Sequence, residues 1–164
     1  MGKSLETSKG SVWALLLTTH AVLVERIEGR LAQADLPPLG WYDVLWALER
    51  SPGQRQRMSE LAERVVLSRS NLTRLVDRLE DAGLVRRERS EEDRRGAYAV
   101  LTDAGKVLRR KMWPVYQAAI RELFEAHLSD EDAGALNAAL RRVLDAARGQ
   151  TPEGGAPESA AGAA

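Results

Sequence analysis

The chain contains 164 residues, no cysteine and two histidines, and its charged residues balance to a net charge of zero. This length supports a single domain of ordinary size with a real hydrophobic core. The absence of cysteine excludes disulfides and thiol-based redox sensing, and His20 and His127 are too few for a histidine-rich metal site, so no metal or cofactor is expected. The longest uninterrupted apolar run covers residues 12–17, which is too short for a membrane span or a signal peptide. We therefore expect a cytoplasmic protein with no membrane partner.

The distribution of charge is more informative than its sum. Residues 55–95 contain 11 arginines and 9 acidic residues, a net of +2, whereas residues 129–164 contain 3 arginines and 6 acidic residues, a net of −3. Arginine also supplies 20 of the 24 cationic residues, and its planar guanidinium suits phosphates and guanine edges better than lysine does. The mild basic bias in the middle of the chain predicts a modest non-specific affinity for nucleic acid.

Two helices are predicted after a flexible N-terminus, residues 1–10. The first, from Ser11 to Asp35, carries a seam in alternating steps of four and three, the spacing of helices that pack along long partners. The seam residues are Trp13, Leu17, His20, Val24, Ile27 and Leu31. The sequence Leu36-Pro37-Pro38 ends this helix, and residues 40–50 are expected to form a second helix with an apolar inner face.

Two short helices joined by a tight turn are predicted next. Ser59 is expected to cap the first and Ser68 the second, with Leu67 packing on Leu72 as a hydrophobic staple. In the second helix the apolar residues recur at i, i+3, i+4 and i+7, so its polar residues point the other way. The apolar residues are Leu72, Leu75, Val76 and Leu79. This pattern is typical of a helix-turn-helix, whose second helix can enter the major groove of DNA.

A small sheet is predicted to follow the helix-turn-helix. Gly83 suits a helix C-cap, and residues 84–89 and 97–101 read as two strands around a polar turn. Residues 56–58 are expected to add a short third strand. A hairpin of this kind beside a helix-turn-helix forms a wing.

The C-terminal part of the chain predicts two further helices and a disordered tail. Thr102 is expected to cap a long helix that reaches His127, and Ser129, which three acidic residues follow, to cap a last helix. Together with the N-terminal helix they carry more apolar surface than one small lobe can cover. We interpret them as helices that interleave in a homodimer; packing on each other within one chain is the alternative. Residues 149–164 contain almost no large apolar residue and form the predicted disordered tail.

One stretch of sequence resembles a known family. Asp93, Arg94 and Arg95 precede Leu101, Thr102 and Gly105 in the pattern of the wing signature of the MarR family of winged-helix transcriptional regulators, and residues 68–85 resemble that family's recognition helix. The match is closest over residues 59–105. The resemblance implies a homodimer that binds double-stranded DNA at a pseudo-palindromic site, more often as a repressor, with Arg95 in the minor groove and Asp93 orienting it. Val66 departs from the family, because many members have glycine in this turn and a β-branched residue resists positive φ.

Several polar residues are candidate DNA contacts. Asn and Arg pair bidentately with adenine and guanine edges, and Ser or Thr can donate to phosphates. The candidates are Ser68, Arg69, Ser70, Asn71, Thr73, Arg74, Arg78, Arg94 and Arg95. The alternative interpretation of the helix residues is an ordinary solvated face. The wing arginines could instead be charges of an ordinary turn, and Arg78 could pair with nearby acidic residues. Arg86, Arg87 and Arg89 fit phosphate contacts and hairpin surface equally well.

Polar-tipped aromatic residues concentrate on the first two predicted helices. In families of this type the cleft between the dimer helices and the winged lobe often takes small aromatic or phenolic effectors, and a core or interface role is the alternative. The candidate ligand-binding residues are Trp13, His20, Trp41, Tyr42, Asp43 and Trp46.

These observations predict a mainly α fold with a small β wing (α+β), in which a winged helix-turn-helix lobe is flanked by long dimerisation helices. The regulator domain covers residues 11–148, with the DNA-binding lobe at about 40–101 and the dimerisation helices at about 11–35 and 102–148. The expected function is a DNA-binding transcriptional regulator modulated by a small aromatic or phenolic ligand. A winged-helix module that binds another protein is the alternative, which the zero net charge favours. An enzyme is not expected, because the sequence offers no pairing of nucleophile and base, phosphate loop or metal cluster.

Overall fold

The computed structural model describes residues 9–65, 69–89 and 96–149, which hold six α-helices and three strands. The elements are α1 (Lys9–Gln33), α2 (Leu39–Glu49), β1 (Arg55–Arg57), α3 (Met58–Arg64), α4 (Arg69–Asp81), β2 (Val85–Arg89), β3 (Ala97–Leu101), α5 (Asp103–Leu123) and α6 (Asp130–Ala147). This mainly helical fold with one small sheet confirms the predicted fold class. The chain divides into two compact units, one up to Phe124 and one from Glu125 onwards.

The three strands form one antiparallel sheet in the order β1-β3-β2. Arg57 of β1 and Glu88 of β2 both lie opposite Tyr98 of β3. Because side chains alternate between the two faces of a strand, this register places Arg57, Tyr98 and Glu88 on one face. The predicted third strand at residues 56–58 is therefore present, one residue earlier than expected.

A hydrophobic core joins α2, α3 and α4 to the inner face of the sheet. Val44, Leu48, Leu61, Val76 and Leu79 are fully buried in it. Full burial of a side chain of this size stabilises a fold by about 1.5–3 kcal/mol. The helix-turn-helix elements and the sheet therefore share one core, which we call the lobe core.

A second cluster, the helical core, lies among α1, α2 and α5. Leu31 and Met112 are fully buried in it, and Ile27, Tyr42 and Ala119 complete the contact between the three helices. Only the last part of the predicted α1 seam is buried in this way, because Ile27 and Leu31 are the buried residues of that helix.

The structure corrects two helix boundaries. Ser59 does not cap α3, because the helix begins at Met58 directly after β1, the capping position falls on Arg57, and no side chain supplies a cap. The helix predicted to reach His127 ends at Leu123, since Phe124 leaves the helical conformation with φ −129°, and a short 3-10 turn follows at Glu125–His127.

Two predicted helix starts and one helix end are confirmed. The Thr102 side chain accepts a hydrogen bond from the Gly105 amide at the start of α5. Ser129 and Asp132 form a reciprocal capping box at the start of α6. Gly83 has a φ of +70°, the left-handed conformation that favours glycine after a helix.

Several predictions fall outside the described residues. They are the cap and staple at Ser68 and Leu67, the turn at Val66, the wing residues Asp93, Arg94 and Arg95, and the tail from residue 150 onwards. Within the ranges given above, no helix is long and apolar enough to cross a membrane. The same ranges contain no group of three or more side chains able to hold a metal ion.

Candidate nucleic-acid interface

Helix α4 separates a fully apolar face from a polar one. Leu72, Val76 and Leu79 are buried in the lobe core, as the periodicity predicted. The opposite face is exposed and polar. It consists of Ser70, Asn71, Thr73, Arg74, Asp77 and Arg78. The helix thus presents amide, hydroxyl and guanidinium groups outward on a rigid element, which is the chemistry needed to contact phosphates and base edges.

One arginine ties α4 to the first wing strand. The Arg87 guanidinium lies 2.6 Å from Asp77 Oδ1 and 2.9 Å from Glu80 Oε2. The Arg87 backbone amide also donates to Glu80 Oε1 at 2.9 Å, and its guanidinium donates to the Thr73 carbonyl at 3.4 Å. The structure therefore places the Arg87 guanidinium in contact with α4, which is neither of the two roles considered from the sequence.

The other arginines near α4 have different surroundings. Arg78 remains exposed on α4, where its Nε donates to the Arg74 carbonyl at 3.4 Å. Arg86 forms an ion pair with Glu88 of the same strand. Arg89 is exposed at the end of β2. Arg69 begins α4 and precedes the polar face.

The outer face of the sheet carries a tyrosine between arginines. The guanidinium of Arg55 lies 4.7 Å from the centroid of the Tyr98 ring and that of Arg57 lies 5.3 Å from it. Arg57 Nε also donates to the Tyr98 hydroxyl at 3.0 Å. Glu88 is 3.6 Å from Arg55. These contacts stabilise β1 against β3 next to the start of α3.

Thr102 and Gly105 of the wing signature have a structural role in this chain. The Thr102 hydroxyl donates to the Gly83 carbonyl at 2.8 Å, and the Thr102 amide donates to the Leu84 carbonyl at 3.1 Å. A side chain at Gly105 would overlap the same Leu84 carbonyl and crowd the Leu101 side chain. The start of α5 is therefore fastened to the end of α4, and only glycine fits at this close approach.

Tyr42 belongs to an aromatic cluster between α2 and α5. It is 4% exposed, its ring stacks with Trp113 at a centroid distance of 6.0 Å, and it meets Tyr116 edge-on at 5.0 Å. Sequence reasoning missed Trp113 and Tyr116 as members of this group. Their spacing of three residues, which puts them on neighbouring positions of one helix side, is the signal that could have found them.

The other aromatic candidates lie in different surroundings. Trp41 packs against the lobe core, whereas Trp46 is 43% exposed, with the Arg50 guanidinium 4.9 Å above its ring. Trp13 and His20 lie on the exposed first part of α1. The structure therefore brings only Tyr42 of these residues into the aromatic cluster.

Asp43 is a half-buried carboxylate beside that cluster. Burial raises the pKa of Asp43 to about 6, and the negative charge of Glu28 on α1 adds to the rise. Glu28 itself accepts a hydrogen bond from the Leu39 amide at 3.0 Å, which holds it at the start of α2. Burial, and next the charge of Asp43, likewise raise the pKa of Tyr116. Two acidic side chains, Asp43 and Glu28, therefore face each other's charge at the junction of α1, α2 and α5.

The arrangement of α3, α4 and the three-stranded sheet defines a winged helix-turn-helix protein. A model of the MarR family matches residues 34–96. The crystal structure of AbsC, a MarR family transcriptional regulator from Streptomyces coelicolor, is 36% identical, with 91% of this chain and 100% of AbsC covered and a TM-score of 0.78. Sco3205, a MarR family transcriptional regulator from the same organism solved in complex with DNA, is 33% identical, with 94% and 96% covered and a TM-score of 0.78. The chain therefore belongs to the MarR family of transcriptional regulators.

A third structure is relevant to the ligand question. The PcaV transcriptional regulator from Streptomyces coelicolor, solved in complex with its natural ligand, is 28% identical, with 90% of this chain and 99% of PcaV covered and a TM-score of 0.68. Among curated proteins, the chain spans 49% and 59% of the length of the first two relatives it matches, both regulators of the helix-turn-helix type from Bacillus subtilis. These relatives are transcriptional regulators and not enzymes, in agreement with the prediction.

Proposed function

We propose that this protein is a cytoplasmic homodimer that binds double-stranded DNA at a pseudo-palindromic site and represses transcription there. The observation that carries the proposal is the polar outer face of α4, which the buried stripe of Leu72, Val76 and Leu79 holds in a fixed orientation. The DNA-binding lobe would cover about residues 40–101 and the dimerisation helices about residues 11–35 and 102–148.

The chemistry of α4 supports base recognition. Asn71 and Arg74 are exposed on this helix, and these residue types form bidentate hydrogen bonds with adenine and guanine edges in the major groove. Arg69, Ser70, Thr73 and Arg78 of the same helix would contact phosphates. We extend the same proposal to Ser68 at the preceding position and to Arg94 and Arg95 in the wing, with Asp93 as the orienting residue. Sco3205, solved with DNA, shows that a relative of this fold uses DNA as its partner.

Exposed apolar surface supports a dimer. The first part of α1 exposes large side chains, among them Trp13 at 61% and Leu15 at 66%. In the second unit, α6 exposes Leu140, Val143 and Leu144 along one side. Contiguous apolar surface on two separate long helices is costly in water, and a second copy of the chain would cover it. A two-fold dimer also presents two α4 helices, which requires a site with two related halves.

A small aromatic or phenolic ligand is the proposed effector. The Tyr42, Trp113 and Tyr116 rings pack on one another at centroid distances of 5.0–6.1 Å where α2 contacts α5. Trp113 is 37% exposed, so a flat ligand ring would stack on this edge of the cluster and not between its members. Trp13, His20, Trp41, Asp43 and Trp46 would contribute from the surrounding helices of the dimer. That PcaV was solved with a natural ligand is consistent with an effector.

Selection of duplexes from a random pool by the full-length protein tests the proposed function. We expect an enriched pseudo-palindrome with half-site centres about 10 bp apart, one turn of B-DNA. Footprinting on that sequence should show protection of both halves. Arg121 of α5, exposed and outside the lobe, offers a matched control, because Arg121→Ala removes the same charge as Arg74→Ala. A pool that yields no enriched sequence, or equal binding by the Arg74→Ala variant and the parent, would overturn the proposal in favour of a protein-binding module.

A further inference from the structure

The outer face of α4 contains an acidic residue at its centre. At about 100° per residue, Ser70, Arg74 and Asp77 share a sector of roughly 60° directly opposite the buried stripe. The Asp77 side chain is 50% exposed. An unpaired carboxylate in this place would repel the DNA backbone, so its presence on the proposed reading face needs an explanation.

Arg87 reaches Asp77 from the neighbouring strand. Its guanidinium spans Asp77 and Glu80 at 2.6 and 2.9 Å, and its backbone amide holds the second oxygen of Glu80. The Arg87 side chain is 28% exposed, less than either carboxylate. Thr73, Asp77 and Glu80 follow one another by about a helical turn, so these contacts run along one side of α4 for two turns.

We infer that Arg87 is a positioning residue for DNA recognition, which neutralises Asp77 on the reading face and fixes α4 against β2. The inference rests on the proposed DNA-binding function. It differs from the roles considered from the sequence, a phosphate contact or hairpin surface, because Arg87 acts through α4 and does not itself touch DNA. Lysine cannot replace it fully, since its single nitrogen cannot match the fixed geometry in which two guanidinium nitrogens separately reach Asp77 and Glu80.

A double-mutant cycle on the selected duplex tests this inference. Arg87→Gln is expected to weaken binding on the order of tenfold, because it frees a repelling carboxylate and loosens α4, and residues within one network couple by such amounts. In the Asp77→Asn, Glu80→Gln background the same change should have almost no further effect, because there is no carboxylate left for Arg87 to neutralise or hold. Arg87→Lys should be intermediate.

The salt dependence separates positioning from direct contact. A lost phosphate contact would lower the slope of log affinity against log salt by about 0.9 per subunit, whereas loss of a positioning residue leaves the number of neutralised phosphates unchanged. Arg86→Gln is the matched control, because Arg86 is adjacent, carries the same charge and pairs with Glu88 instead of α4. It should weaken binding much less than Arg87→Gln.

Two outcomes would overturn the inference. One is an equal loss from Arg87→Gln in both backgrounds with a reduced salt slope, which would make Arg87 a phosphate contact. The other is a destabilised Arg87→Gln variant that, below its unfolding temperature, binds the duplex as the parent does, which would make the role structural only. Amide hydrogen exchange in α4 without DNA should show faster exchange in Arg87→Gln than in Arg86→Gln. This readout remains informative even if the parent selects no DNA, so failure of the proposed function is distinguishable from failure of the inference.

Discussion

Replacement of Asp43 by asparagine is expected to stabilise the protein at neutral pH. Burial raises the pKa of Asp43 from 3.8 to about 6, with a further contribution from Glu28. The folded protein therefore holds the Asp43 proton more tightly than the unfolded chain does. The contribution of Asp43 to stability is greatest below about pH 4 and is lost as the pH rises through about 6. Asparagine carries no charge and removes this loss.

The size of the effect follows from the shift. A pKa difference of about 2 units corresponds to about 3 kcal/mol at 1.36 kcal/mol per unit, and partial contact of Asp43 with solvent reduces it to about 1–2 kcal/mol. Urea unfolding of parent and variant at one fixed protein concentration gives the difference in free energy of unfolding. That difference should be small at pH 4, about 0.5 kcal/mol, and should reach its full size by pH 7.5.

An exposed carboxylate on α1 provides the control. Glu25 is exposed, so Glu25→Gln should change the free energy of unfolding by less than about 0.5 kcal/mol at both pH values. The reasoning would be refuted if Asp43→Asn destabilised the protein at pH 7.5, or if its effect were the same at pH 4 and pH 7.5. Glu28→Gln should reduce the pH dependence of the parent, because it removes the second cause of the raised pKa.

Three further predictions concern packing, recognition and assembly. Gly105→Ala should destabilise the protein by about 1–3 kcal/mol in thermal unfolding, because the added methyl overlaps the Leu84 carbonyl. Gly29→Ala is the control: nothing lies near its added methyl, so it should be neutral or stabilising by up to about 1 kcal/mol. Arg74→Ala should reduce the free energy of binding to the selected site by about 1–3 kcal/mol and relax preference at one base position per half-site. Arg95→Ala should instead reduce preference for A·T-rich flanks. Base-substitution scans that gave the reverse pattern would contradict the assignment of Arg74 to the major groove and Arg95 to the minor groove. Sedimentation should show a dimer at about micromolar concentration. Trp13→Glu, on the exposed part of α1, should weaken dimerisation. A folded parent monomer at tens of micromolar would exclude the two-half-site mechanism.

Periodicity predicted α4 correctly because the stripe of Leu72, Val76 and Leu79 needs only local spacing. The Ser59 prediction was wrong for a local reason of another kind: β1 passes directly into α3, so the capping position falls on Arg57 before the serine is reached. The strand predicted at residues 56–58 ends one residue earlier in the structure, and capping rules that weigh residue type do not detect a shift of one residue.

The role of Arg87 was beyond sequence reasoning because its partners lie on another element. Strand alternation places Arg87 on the same face of β2 as the buried Val85, towards α4, but the ion pairs depend on how α4 lies against the sheet. The aromatic cluster has the same origin, since Tyr42 and Tyr116 are 74 positions apart in the chain and meet only through the packing of α2 on α5.

The hydrogen bonds from Thr102 to Gly83 and Leu84 make a short joint between two long helices, α4 and α5. Helix α4 has 13 residues and is therefore about 20 Å long. If α5 tilts by about 6° and the joint transmits the tilt, the far end of α4 moves by about 2 Å, and interfaces that switch between states commonly shift by such amounts. Asn71 and Arg74, the proposed base contacts, lie in the half of α4 away from the joint, whereas Gly83 and Thr102 would hardly move. Small changes in helix packing around Tyr116 would thus become larger displacements at the end of α4 that is proposed to contact DNA. A variant that lengthens the hydrogen-bonded contact between Gly83 and Thr102 would reduce this amplification without altering either helix.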